Sequence, residues 1–137
     1  MNQTTSESLV QSVIHWALDK KAEDIQVLDL RGVLDVTDFF VIATGYSEVQ
    51  VQSIADAITD KSREAGQEFI SVEGREAGRW VLVDYVDVVV HLMLPEEREK
   101  YRLDRLWSEA GLTEYSETGE ARVVRETMVV EEEGEGA

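Results

Sequence analysis

An α/β fold, with a single mixed β-sheet of about five strands flanked by helices, is predicted by three features of this 137-residue chain. Two segments, residues 5–22 and 48–65, carry apolar side chains at helical spacing. Five short runs rich in β-branched and aromatic residues read as strands. These strands do not alternate one by one with helices, which argues against a doubly wound parallel sheet. The predicted order is α-β-β-α-β-β-β-α.

The first helix spans about Thr5 to Ala22, with Ser6 or Ser8 as a cap and Leu9, Val13, Trp16, Ala17 and Lys20 at helical intervals. Ile25–Leu30 is strand-like and ends at Arg31-Gly32. Phe39–Thr44 is almost continuously apolar, as a strand covered on both faces requires. Gly45-Tyr46-Ser47 turns the chain, and Ser47 with Gln50 forms a capping box into a helix from Glu48 to about Ala65. Val51, Ile54, Ala55 and Ile58 form its apolar stripe, and Gly66 stops it.

Phe69–Val72 reads as a short strand ended by Glu73-Gly74. Arg79–Asp84 and Val86–Met93 follow as two strands joined tightly between Asp84 and Asp87. Pro95 suits the first turn of a last helix, with Glu96 and Glu97 at its positive end. That helix carries Tyr101, Leu103, Leu106 and Trp107 and ends at Gly111.

The chain holds 29 acidic and 13 basic residues, a net charge of −16, and no cysteine. The missing thiols remove disulfides, thiolate nucleophiles and cysteine-type zinc sites. The charge disfavours contact with nucleic-acid phosphates and favours a basic protein partner. No run approaches the ~20 apolar residues of a membrane helix, and no secretory signal is visible in Met1–Val10. Residues 114–137 hold 8 acids and 2 arginines, a net −6. They read as an acidic, largely disordered tail after a domain at 1–113, with Arg122–Val130 able to form one marginal extra strand.

Catalytic patterns are sparse. The two histidines, His15 and His91, stand in no nucleophile elbow or zinc-ligand spacing. Asp35 with Asp38, and Asp84 with Asp87, are spaced as turn formers rather than as a metal-binding pair. Gly45-Tyr46-Ser47 lacks the glycine run and the Lys-Ser/Thr of a phosphate loop. No catalytic, cofactor-binding or metal-binding residue is therefore assigned.

The two strands around Asp84 say more. Val86, Val88, Val90 and Leu92 share a purely apolar face, while Asp87, Val89, His91 and Met93 share a mixed one. Trp80, Leu82 and Asp84 alternate in the same way. The mixed face reads either as a protein contact surface or as core under a helix.

At these residues the chain resembles the ribosomal silencing factor family, also called Iojap-like proteins. The matching pieces are Asp38–Gly45, Ser47 with Gln50, Ile54–Asp56, Glu73-Gly74, Trp80–Asp84, Asp87–His91, Arg98, Tyr101 and Leu103–Trp107. The ordered set spans about Leu9 to Trp107.

The resemblance implies a fold related to nucleotidyltransferases and a cytoplasmic homodimer. It also implies binding to the large ribosomal subunit at its fourteenth large-subunit protein, blocking subunit joining and repressing translation. Neither the Asp-x-Asp metal pair of active nucleotidyltransferases nor a basic residue after Ser47 is present; Glu48-Val49 stands there instead. A Mg-dependent nucleotide-binding enzyme of that class is the alternative reading. The expected partner-binding residues are Glu73, Trp80, Leu82, Asp84, His91, Arg98, Tyr101 and Leu103, with neither membrane nor sequence-specific nucleic acid as a partner.

Overall fold

The computed structural model of the chain describes residues 5–128. Helix α1 (Ser6–Asp19) precedes strands β1 (Glu23–Asp29) and β2 (Phe39–Thr44), then helix α2 (Glu48–Glu64). Strands β3 (Ser71–Glu73), β4 (Trp80–Asp84) and β5 (Val88–Met93) follow. Two short helices, α3 (Pro95–Tyr101) and α4 (Leu103–Leu106), lead to β6 (Gly111–Tyr115) and β7 (Ala121–Arg125).

The sheet is mixed, in the order β3-β4-β5-β2-β1-β6-β7. Only β2 and β5 pair in parallel; every other neighbour is antiparallel. A parallel pair cannot be joined by a tight turn, and the connection between β2 and β5 carries α2, β3 and β4. The central pair is apolar on both sides. Phe39, Val41, Ala43, Val88, Val90 and Leu92 face α1 and α2, while Ile42 and Met93 join the opposite cluster beside Leu28, Leu30, Ala110 and Leu112.

Helix α2 begins at the expected cap: Ser47 Oγ accepts from the Gln50 amide at 3.0 Å, while Gln50 Oε1 accepts from the Tyr46 amide at 2.7 Å rather than from that of Ser47. A Cβ at Gly45 would stand 2.9 Å from Val51 Cγ2, so glycine there lets α2 lie directly over the end of β2. At α1 the cap is Thr5 rather than Ser6 or Ser8, its side chain accepting from the Ser8 amide. Ser6 instead donates to Asp38.

Several expectations are corrected. The sheet has seven strands, not about five, because β6 and β7 add to the free edge of β1. The boundary at residue 113 therefore falls inside β6, and residues 114–128 extend the sheet through Glu114, Tyr115 and Ala121–Arg125, the last overlapping the marginal strand expected at Arg122–Val130, rather than forming a disordered tail. Leu112 beside Leu28 supplies the burial that the charged composition concealed. The final residues, 129–137, lie outside the described part.

The single C-terminal helix is two: Arg102 adopts φ 39°, ψ 63° and breaks the run between α3 and α4. Val86 leaves the apolar face altogether. It sits at φ 77° in a γ-turn, with the Asp87 amide donating to Tyr85 O and the Val86 side chain half in solvent. Among the described residues no helix is long and apolar enough to cross a membrane.

Two glycines permit a controlled stability test. Gly66 (φ 81°) and Gly74 (φ 82°) share nearly the same positive φ. A Cβ at Gly66 meets nothing within 4 Å, whereas at Gly74 it would stand 2.2 Å from Trp80 O. Gly66→Ala is expected to cost about 1 kcal/mol of conformational strain. Gly74→Ala should cost at least a further ~2 kcal/mol, because the β3–β4 hairpin must open. Urea unfolding of both variants measures the difference; equal costs would show that the close approach at Gly74 is relaxed at no expense.

Candidate functional site

The face of the sheet opposite α1 and α2 is only partly covered. Its side chains are ordered by strand register. Trp80 pairs with Met93, Leu82 with His91 and Asp84 with Val89. Ser71 and Glu73 extend these rows outward onto Asp84 and Leu82, while Phe40, Ile42 and Thr44 extend them inward from Val89, His91 and Met93. Paired residues share a face, so these side chains form one patch.

Helices α3 and α4 cover the inner part of this face and leave the outer part open. Leu34, Phe40, Trp80, Leu103 and Trp107 are half-buried against the Leu28–Ile42–Met93 cluster. Leu82 and Val89 are likewise half-buried. Tyr101 and Leu106 remain exposed, and Val36 is exposed on the loop between β1 and β2.

An aromatic series runs across the patch. Tyr101 packs 4.8 Å from Trp80, Trp80 lies 5.9 Å from His91, His91 lies 4.5 Å from Phe40, and Phe40 lies 6.3 Å from Trp107. Such tilted and edge-on pairs each add roughly 0.5–1.5 kcal/mol beyond their area. Lys100 places its ammonium 5.4 Å from the Tyr101 ring. Acids mark the outer edge: Glu73 is exposed at the end of β3, and Asp84 is half-buried and accepts from the Val86 amide.

The structure thus brings Glu73, Trp80, Leu82 and Asp84 together, with Tyr101 stacked at one end. It separates two of the expected residues from the surface. His91 is 4% exposed and lies beneath the patch. Arg98 is turned to the buried inner end of this face, donating to Asp24 O (2.6 Å), Thr44 Oγ1 (2.9 Å) and Gln26 Oε1 (2.7 Å). These bonds pin α3 to β1 and β2. Burial works against the Arg98 charge, and the nearby Asp24 and Asp104 carboxylates offset it.

Leu103 divides its contacts between the patch and a cleft of ≈ 480 Å³ beside Arg98. Phe40 and Val89 belong to the patch by strand alternation, a signal already present in the sequence. Leu34, Trp107 and Val36 join it through loop placement, which no spacing reveals.

Among the described residues no group of three His, Cys, Asp or Glu side chains is placed to hold a metal ion. The cleft beside Arg98 is bordered by Glu23, Asp24, Glu99 and Asp104, and Arg102 is already paired with Asp104 at 3.2 Å. The Asp84 carboxylate closes the turn by accepting from the Val86 amide, and the Asp87 main-chain carbonyl accepts from the Asp38 and Phe39 amides.

His91 carries a specific electrostatic signature. Its Nδ1 accepts from Trp80 Nε1 at 3.1 Å, so the neutral ring bears its proton on Nε2, which has no hydrogen-bond partner. Burial penalises the imidazolium and lowers the pKa from 6.5 to about 4. The folded state therefore binds its proton less readily than the unfolded chain.

Its contribution to stability is complete above pH 6.5 and is lost as pH falls toward 4, by roughly 3 kcal/mol in total. Asp29, Asp56 and Asp104, lowered by Arg31, Arg75 and Arg102, lose theirs only below the ordinary carboxylate range. Urea unfolding of the wild type should weaken between pH 6.5 and 4.5, and His91→Phe should flatten that slope. A slope unchanged by the substitution would place its origin elsewhere.

Comparisons with known proteins place the chain in a family. A family model described as "Ribosomal silencing factor during starvation" matches residues 3–135. The ribosomal silencing factor RsfS of Halalkalibacterium halodurans is 41% identical over 110 residues, covering 80% of this chain and 94% of that protein. A mouse protein named "Mitochondrial assembly of ribosomal large subunit protein 1" is 33% identical over 92 residues, covering 65% of this chain and 40% of its own length. The crystal structure of protein CV0518 from Chromobacterium violaceum superposes with a TM-score of 0.74 at 38% identity, over 76% of this chain and 87% of that one. With the family model spanning nearly the whole chain and the fold shared, this protein belongs to the ribosomal silencing factor family.

Proposed function

We propose that the chain is a cytoplasmic translational repressor acting by steric occlusion. It docks on the large ribosomal subunit through a basic protein, the fourteenth large-subunit protein, and keeps the small subunit from joining. Relation to the nucleotidyltransferases and homodimer formation belong to the same reading, and a second copy using the patch would compete with the ribosome for it.

The observation that carries the reading is the partly covered face. Trp80, Leu82 and Phe40 offer a half-buried aromatic and aliphatic centre, with the exposed Tyr101 stacked on Trp80 and Glu73 and Asp84 at its edge. Protein interfaces have this anatomy, an apolar centre rich in Trp and Tyr inside a polar rim. The acids meet Lys or Arg on the partner and speed encounter through opposite charge. The family name and the mouse relative's name support the ribosome, and for that relative the large subunit, as the setting. Residues 1–113 hold every partner-binding residue of this reading, and no step in it needs a catalytic group.

Sedimentation of purified large subunits with the protein is the direct test. Co-migration is expected, with affinity reduced roughly thirtyfold by Trp80→Glu, the loss of one aromatic hot spot. It should weaken further as salt rises. Binding indifferent to both changes would move the interface to another face; absence of binding would remove the occlusion mechanism itself.

A further inference from the structure

His91 lies under the contact face without belonging to it, and its hydrogen bonding shows what it is for. Tryptophan has a single polar handle, the indole N–H, which can only donate. On an open face that group bonds to water and leaves the ring free to change rotamer. Here Trp80 is half-buried, and its Nε1 donates to His91 Nδ1 at 3.1 Å. Because Trp80 pairs with Met93 and Leu82 pairs with His91, donor and acceptor are diagonal neighbours on adjacent strands. The acceptor is itself immobilised: His91 is 4% exposed, has the Phe40 ring 4.5 Å away, and is paired between Leu82 and Ile42. Tyr101, 4.8 Å from the Trp80 ring, closes the arrangement.

This arrangement has a cost. The tautomer that accepts from Trp80 leaves Nε2–H buried with no partner, at about 1–3 kcal/mol. A phenylalanine at position 91 would fill similar space without a buried donor. What only the histidine supplies is an acceptor aimed at the indole.

We infer that His91 is a positioning residue for the Trp80 anchor: it holds the indole in the orientation the partner meets, and influences binding through Trp80 alone. The inference rests on the reading of this face as the partner-binding surface. The stored order lowers the side-chain entropy lost on association, so its loss shows mainly as faster dissociation.

Substitutions at position 91 separate this role from simple packing. Asparagine places its Oδ1 where the imidazole has Nδ1, glutamine reaches toward the Nε2 position, and phenylalanine supplies neither. The indole N–H signal of Trp80, assigned by its loss in Trp80→Phe, should exchange with solvent slowly in the wild type and in His91→Asn. In folded His91→Gln and His91→Phe it should exchange at least tenfold faster. Affinity for purified large subunits should stay within threefold for His91→Asn and fall tenfold or more for the other two. In a Trp80→Phe background, replacing His91 by Gln should change affinity less than twofold.

Indole exchange insensitive to position 91, or His91 and Trp80 effects that simply multiply, would overturn the inference. Failure of the wild type to bind large subunits would instead sink the occlusion reading, and the exchange measurement would still decide whether His91 holds Trp80.

Discussion

The parallel pairing of β2 with β5 governs the rest of the molecule. Both strands are apolar on both sides, so the centre of the sheet has to be covered twice. On one face α1 and α2, of 14 and 17 residues, do this completely. Each fully buried Val, Leu or Ile there contributes roughly 1.5–3 kcal/mol. On the other face the cover is α3 and α4, of 7 and 4 residues. They shield Ile42, Met93 and Leu28 but do not extend over Phe40, Leu82 and Val89, which stay half-buried. Apolar faces left partly open in this way are, in proteins generally, common interaction sites.

Helices this short are not stable alone in water, and a few arginines hold them in place. Arg98 ties α3 to β1 and β2. Arg79 donates through Nε and Nη2 to the buried Glu97, linking the start of β4 to the same helix. Arg125, on the last strand, donates to the carbonyls of Asp104, Trp107 and Ala110 and so satisfies the end of α4. Trp107 and Tyr101 stand on the segments these guanidinium groups fix. The position of the contact face is therefore set from the opposite edge of the sheet and from the cleft behind it.

The acidity divides differently once β6 and β7 are known. Residues 114–128 carry four glutamates and two arginines, and Glu114 is paired with Arg122 across the hairpin. Residues 129–137 carry the other four glutamates and no base. The charge is thus spread between a folded edge of the sheet and the last nine residues, rather than gathered in one separate tail.

Strong local signals were legible in the chain. Ser47 with Gln50 marked the start of α2, and the unbroken run Phe39–Thr44 marked a strand buried on both faces, because these patterns act within one or two turns of the chain. Alternation also placed Trp80, Leu82 and Asp84 on one side of β4. The same local logic failed where a long-range contact was decisive. Arg102 broke a helix that composition favoured, and Gly111–Tyr115 became a strand because Leu112 could bury against Leu28, 84 residues earlier, whereas β7 overlaps the marginal strand read at Arg122–Val130. Arg98 and His91 look like surface residues in sequence, yet one is a staple and the other a buried acceptor. Residue order determines periodicity, caps and charge, which are properties of neighbours. Burial and hydrogen-bond partnership arise only when distant strands align, and here that alignment decided that Leu82 and Tyr101 stay open to solvent while His91 and Arg98 are enclosed.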